Sequence, residues 1–160
     1  MITLEPIGVV RSPRTEVRDD FWGDVPATIE LSPDLPASSL DGLEDFSLAE
    51  ILFLFDRVRP EAVVSDARHP RNNPAWPRVG IFAQRAKARP NRLGSTIVRI
   101  VGREGRRLRV LGLDAVDGTP VLDIKPVLAE FLPREPVRQP EWSRELMQDY
   151  WRPDAERPPC

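Results

Sequence analysis

Four cations crowd eight residues of this chain: Arg85, Lys87, Arg89 and Arg92. Like charges packed this closely repel one another, and a fold tolerates them mainly where an anion or a dipole-rich ligand lies alongside. Each arginine presents a planar fork of N–H donors suited to carboxylate or phosphate. Pro90 fixes the local backbone and biases Arg89 toward extended geometry. Asn91 offers both a donor and an acceptor, and Gly94 permits a close backbone approach. The competing reading is a solvated hairpin loop between two strands. A second stretch, Asp114 to Pro126, has the opposite character. Its Asp117-Gly118 is a common hairpin pair, so Asp117 serves a turn as readily as a ligand. Asp123 and Lys125 alternate with Leu122 and Ile124, which predicts a strand carrying a charged pair on one face, turned to a lined cavity ahead of solvent.

Other reactive groups are sparse. His69 is the sole histidine, and Ser65, Asp66 and His69 stand too close in one loop for a hydrolase triad; no nucleophile elbow accompanies them. One histidine and one cysteine, Cys160, make no transition-metal or zinc set, so no metal is expected and no internal disulfide can form. Trp22, Trp76, Trp142 and Trp151 have faces on which bases stack, although packing is the commoner fate of tryptophan.

These groups must be held by a β-rich frame. Eighteen prolines and nine glycines limit long helices. Strands are predicted over Thr3–Arg11, Ala27–Leu31, Ala49–Val58, Val79–Ala83, Ser95–Gly102, Arg107–Leu113 and Pro120–Ile124, with a hairpin turn at Glu104-Gly105. Ala37 to Phe46 reads as a turn or one short helix broken at Asp41-Gly42, and Pro60 to Pro77 as a polar loop. Short strands in series without alternating helices predict a single antiparallel β-barrel domain over residues 1–132. A proline-rich tail, 133–160, follows. Its spacing of Trp142, Leu146 and Tyr150 predicts one helix over Glu141–Trp151, offered to a partner subunit or to solvent. No G-x-G-x-x-G or P-loop motif is present.

Net charge is −2, but its distribution is lopsided. Arg57 to Arg109 holds 14 basic and 3 acidic residues, against 9 basic and 22 acidic elsewhere. A basic centre is an electrostatic footprint for phosphate, unless the acidic flanks fold back upon it. The longest apolar run, Ile51 to Phe55, is far too short to cross a bilayer. The first residues lack a basic, apolar leader pattern, and a cytoplasmic location is expected.

Taken in order, Ile7-Gly8-Val9-Val10-Arg11-Ser12-Pro13, Ile51-Leu52-Phe53-Leu54-Phe55, Gly80-Ile81-Phe82-Ala83-Gln84-Arg85, Arg89-Pro90-Asn91-Arg92-Leu93-Gly94 and Leu113 through Pro126 resemble the TrmO/TsaA-like family. The resemblance runs from about residue 5 to about residue 130. It implies a β-barrel, S-adenosylmethionine-dependent methyltransferase, unlike the Rossmann-like majority. Characterised bacterial members methylate N6 of threonylcarbamoyl-modified adenosine beside the tRNA anticodon, and form homodimers with the cofactor near the interface. By motif position, the cofactor contacts would be Ser12, Pro13, Arg14, Phe55, Asp56, Arg85, Ser95, Asp117, Gly118, Thr119 and Pro120. Lys87, Arg89, Arg92 and Lys125 would meet tRNA, and Asp117, Asp123 or Asn91 would accept the proton. The chain departs from the family pattern at Asp56 (usually His), Ala83 to Ala86 (usually Ala-Thr-Arg-Ser), Ala88 (usually Phe), Arg92 (usually Pro) and Val127 (usually aromatic). Longer members carry a further C-terminal domain. The departures keep open a methyltransferase acting on another RNA or a small molecule, or a non-catalytic nucleic-acid-binding barrel.

Overall fold

The structure, a computed structural model, describes residues 1–154; Cys160 lies outside them. Eight strands form: β1 (Gly8–Arg11), β2 (Pro26–Leu31), β3 (Leu48–Leu54), β4 (Ala67–Arg68), β5 (Val79–Gly80), β6 (Leu93–Glu104), β7 (Arg107–Leu111) and β8 (Pro120–Pro126). Six of them close an antiparallel barrel in the order β1-β2-β7-β6-β3-β8, while β4 and β5 pair apart from it. One α-helix is described, α1 (Glu141–Leu146). No helix among the described residues is long and apolar enough to cross a membrane.

Alternation drives the closure. In β3 every second residue, Ala49, Ile51 and Phe53, is buried, as a strand with one face on a core requires. Val10, Ile29, Val98, Leu108, Val110 and Val121 join them inside, and Leu40 and Leu43 plug one mouth from two 3-10 turns split at Gly42. Gly94 faces Phe53 across the β3–β6 ladder. An added Cβ there would lie 2.4 Å from the Phe53 ring, so the large ring needs the small partner.

Two bulges reshape the ladders. The β3–β8 register shifts at Leu122, pairing Phe53 with Val121 but Leu52 with Asp123. This extra residue brings both Val121 and Ile124 to the core and turns Asp123 and Lys125 outward. The β6–β7 register shifts at Val101. β6 is long because it serves two partners, β3 with its first half and β7 with its second.

The structure corrects several predicted boundaries. Only Gly8–Arg11 of the first strand pairs, and β3 ends at Leu54, where Asp56 begins a turn. Val79–Ala83 is not one strand. Two residues pair with β4, then a 3-10 turn over Ile81–Ala83 buries Ile81 and Gln84. Asp117-Gly118 is a turn but not a hairpin, because β7 and β8 are not neighbours. Neither is the arginine loop a hairpin, since β5 pairs with β4 and β6 with β3 and β7.

The described part of the tail packs on the barrel of its own chain. The helix stops at Leu146, and the next residues dock on the chain's own barrel. Phe21 N donates to Asp149 O at 3.1 Å and Trp22 N to Tyr150 O at 2.8 Å. Tyr150 packs on the cluster of Trp22, Val25 and Val116, and Trp76 Nε1 donates to Glu145 Oε2 at 2.8 Å.

Candidate functional site

One rim of the barrel gathers four segments distant in sequence. β1 leaves the barrel there at Arg11 and β3 at Leu54, while β6 enters at Leu93 and β8 at Pro120. The antiparallel order therefore stacks Ser12-Pro13, Phe55-Asp56-Arg57, Asn91-Arg92 and Asp117 to Pro120 side by side. Hydrogen bonds lock them. Asp117 N donates to Arg14 O and Gly118 N to Val10 O, each at 2.7 Å. Ser12 N donates to Asp117 Oδ1 at 3.1 Å, and the Ser12 hydroxyl accepts from Arg14 N. Gly118 adopts φ 84, which a side chain would resist. Thr119 is buried, donating its hydroxyl to Val116 O. Phe55 N donates to Arg92 O at 2.8 Å, and Arg57 donates to Asp117 O at 3.1 Å and to Thr15 O. Arg57 thus ties the aspartate turn to the end of β3.

Outside this rim lies a groove of about 440 Å³ whose walls include Arg11, Ser12, Pro13, Thr28, Arg109 and Asp117. One carboxylate oxygen of Asp117 is used by Ser12; the other has no partner among the described residues. The groove is open to solvent and sets apolar stretches beside the polar groups of Arg11, Ser12, Thr28, Arg109 and Asp117.

The remaining predicted residues divide into three groups. Asp123 and Lys125 form an ion pair at 3.1 Å on the outside of β8, with side chains 47% and 61% exposed. They face solvent rather than a cavity, because the Leu122 bulge has already supplied the core with Ile124. Arg85 and Ser95 meet nearby: the exposed Arg85 guanidinium donates to Ser95 O, and the Ser95 hydroxyl donates to Glu50 Oε1 at 2.6 Å. In the basic loop, Arg89 donates to Gln84 O at 2.9 Å and Arg92 to Val58 O at 2.8 Å, so both forks are partly spent on the chain itself. Lys87 and Asn91 are exposed. Arg92 adopts φ 50, a conformation closed to the family's usual proline, whose ring holds φ near −65°.

Arg14 is buried with its guanidinium turned from the groove. It donates to Asp20 O at 2.9 Å and to Phe21 O, contacts Asp154 at 3.4 Å, and lies 4.3 Å from the Trp22 ring centroid. Burial first, then the Arg18 guanidinium, lowers its pKa, while Asp154 opposes the shift. Only its main chain serves the aspartate turn.

Sequence reasoning missed three features. Arg57 stood beside a singled-out position, Asp56, and adjacency alone was a signal. Arg109 and Thr28 reach the groove only through cross-strand pairing. Asp114 accepts from both Thr96 and Tyr150, closing the seam where the β6–β7 ladder stops. Burial, then the charge and hydrogen bond of Asp114, push the Tyr150 phenol well above its usual pKa, with Arg85 and Arg71 opposing. Among the described residues no cluster of three histidine, cysteine or acidic side chains is placed to hold a metal ion.

Comparison with known proteins identifies the family. The chain is 38% identical over 86% of its length to a Pyrococcus abyssi protein named "Probable S-adenosyl-L-methionine-binding protein", covering 74% of it. It is 39% identical over 66% of its length to human "tRNA (adenine(37)-N6)-methyltransferase", covering 23% of that protein. The crystal structure of TrmO from Pseudomonas aeruginosa superposes with TM-score 0.71 at 32% identity, over 89% of this chain and 62% of that one. The chain thus spans less than a quarter of the human relative and somewhat under two thirds of the solved structure. Residues 13–131 match the family model of the tRNA-methyltransferase O N-terminal domain, and the chain belongs to that family.

Proposed function

We propose that this chain is an S-adenosylmethionine-dependent methyltransferase that modifies N6 of the adenosine beside the anticodon of tRNA, with the threonylcarbamoyl-modified base as its substrate. The observation that carries the reading is the meeting of Ser12-Pro13, Phe55-Asp56, Asn91-Arg92 and Asp117 to Pro120 on one rim, with an unpartnered Asp117 oxygen on the adjoining groove. The named relatives support the cofactor and the reaction class.

When bound, S-adenosylmethionine supplies an electrophilic methyl on a sulfonium. The chain's own task is alignment, which by itself supplies much of the barrier reduction in a two-reactant step. The turn at Gly118 and the ends of β1 and β3 provide fixed backbone groups for the ligand. Asp117 carries negative charge toward the groove, where it balances a positive centre or takes the N6 proton as charge develops. Asp123 is the other carboxylate candidate for the proton, while the Asn91 amide, a hydrogen-bond acceptor but not a base, can only orient N6. Asp123 is engaged by Lys125 and by Ile124 N, which favours Asp117 over it. Arg85, exposed and free at part of its fork, suits a carboxylate of the cofactor or of the threonylcarbamoyl group. Exposed Phe82, Ile97 and Phe131 are consistent with a homodimer. The chain would act on tRNA in the cytoplasm.

Calorimetric titration with S-adenosylmethionine tests the reading first: saturable heat at 1:1 stoichiometry per chain is expected, and no heat would leave a non-catalytic RNA-binding barrel. Nucleoside mass spectrometry of tRNA from a deletion strain then tests the substrate. Loss of the methylated threonylcarbamoyl nucleoside is expected. Its persistence would favour the second reading, another RNA or a small molecule, which the departures at Asp56, Ala88 and Arg92 support.

A further inference from the structure

The groove that holds Ser12 and Asp117 also holds an arginine outside every motif. The registers of β1, β2, β7 and β6 set Arg11, Thr28, Arg109 and Gly102 in one row across the outer face. At Gly102 an added Cβ would lie 2.7 Å from Arg109 Nη2. The absent side chain, beside the bulge at Val101, leaves a trough over β6 in which the Arg109 guanidinium lies.

The surrounding charges single this arginine out. Arg11 is ion-paired with Glu30 at 2.9 Å. Arg57, Arg89, Arg92 and Arg106 donate to the chain's own carbonyls. Among the described residues, Arg109 makes no hydrogen bond or ion pair, and neither does Arg99, which pairs with Leu111 and faces the same side. Arg107 stands on that side too, about 7 Å along β7 by strand geometry, with Glu104 opposite. The groove is therefore two-signed: a free carboxylate oxygen at Asp117, a free guanidinium at Arg109.

We infer that Arg109 holds a phosphate of the RNA substrate, with Arg99 extending the same phosphate track, so that the strand enters along the outer face of β7 and β6 and reaches the rim at Asp117. This rests on the proposed function. A single cofactor carboxylate would need one arginine fork; a row of unpaired arginines along a strand suits a repeating polyanion. The negative oxygen of Asp117 keeps phosphate toward the Arg109 end and leaves the other end for a positive centre.

Filter binding of a tRNA anticodon stem–loop transcript across a salt series tests the assignment, with S-adenosylmethionine titration run in parallel. Arg109→Ala should weaken RNA binding and reduce the slope of log K against log salt by roughly 0.7 to 0.9, one phosphate contact. Arg109→Lys should restore most of the slope, and Arg138→Ala, an equal charge loss in the tail, should leave it at wild type. Cofactor affinity should be unchanged in Arg138→Ala and should fall less than RNA affinity in Arg109→Ala. A wild-type slope for Arg109→Ala overturns the proposal, as does an equal loss in Arg138→Ala or a loss of cofactor affinity in place of RNA affinity. Absence of cofactor binding by the wild-type chain would count against the methyltransferase reading, while the salt slopes would still decide the role of Arg109.

Discussion

Asp117 does two jobs with one carboxylate. One oxygen fixes Ser12 N and so helps hold two rim segments together, and the other faces the groove. Asp117→Asn keeps an oxygen for Ser12 but removes the charge. We expect it to fold with little loss of stability and to lose at least about 100-fold in methyl transfer, within the usual range for acid–base groups; near wild-type turnover would remove Asp117 from the chemistry. Arg85→Ala should behave differently. Its side chain is exposed, so the melting temperature should hardly move, whereas affinity for the cofactor or the modified base should fall about tenfold or more. Methylation at the wild-type rate would argue strongly against a ligand role. Tyr150 offers a spectroscopic test, because it is the only tyrosine. Its folded pKa is raised, so the stability it lends is complete below the unfolded value of about 10 and declines as pH rises beyond it. No tyrosinate absorbance should appear near pH 10 until the protein unfolds, and ordinary titration there would mean that the Asp114 contact is not formed.

The C-terminal segment works as a strap. It supplies main-chain acceptors to Phe21 and Trp22, a phenol to Asp114 and a carboxylate to buried Arg14. Arg14 O and the Asp114–Val116 stretch in turn hold the turn at Asp117. A chain ending at Pro140 would expose Trp22 and leave Arg14 without its carboxylate. We expect a loss of about 3 kcal/mol or more, read from the urea midpoint; an unshifted midpoint would show the strap to be decorative. The bulge in β8 makes a sharper prediction. Deleting Leu122 removes the bulge and leaves Val121, Asp123, Ile124 and Lys125 in regular register with Phe53, Leu52, Ile51 and Glu50, so Ile124 still faces the core and Asp123 and Lys125 still face outward. Such a chain should still melt cooperatively, and loss of the melting transition would contradict the β3–β8 register.

Across the molecule, the basic centre is not one surface. Six of its thirteen arginines, Arg57, Arg85, Arg89, Arg92, Arg103 and Arg106, donate to the chain's own carbonyls, while Arg59, Arg78, Arg99, Arg107 and Arg109 are exposed and their side chains make no hydrogen bond or ion pair among the described residues. Lys87 in the cation-rich loop and Arg99 and Arg109 on the sheet are the proposed phosphate contacts whose charged groups are wholly free, whereas Arg89 and Arg92 would offer only the part of each fork not spent on a carbonyl and Lys125 a head shared with Asp123. If a second copy covers Phe82 or Phe131, sedimentation should show twice the chain mass, and a charged substitution at either should return the monomer. The linear chain contained a good deal of this. Period-two alternation in β3 and β7, the turn pairs at Gly42 and Gly105, and the long motifs were legible because they depend on near neighbours alone. They sufficed for an antiparallel barrel, for its family and for most of the rim. Alternation could not reveal an inserted residue: Asp123 looked cavity-facing until Leu122 proved to be a bulge, since one unpaired residue inverts every side chain after it. Nor could it show that Asp117-Gly118 joins strands that are not neighbours, that Arg14 is buried under the chain's own tail, or that Arg109 lies in a trough made by Gly102. Those outcomes depend on contacts between residues far apart in sequence, which come into being only when the barrel closes.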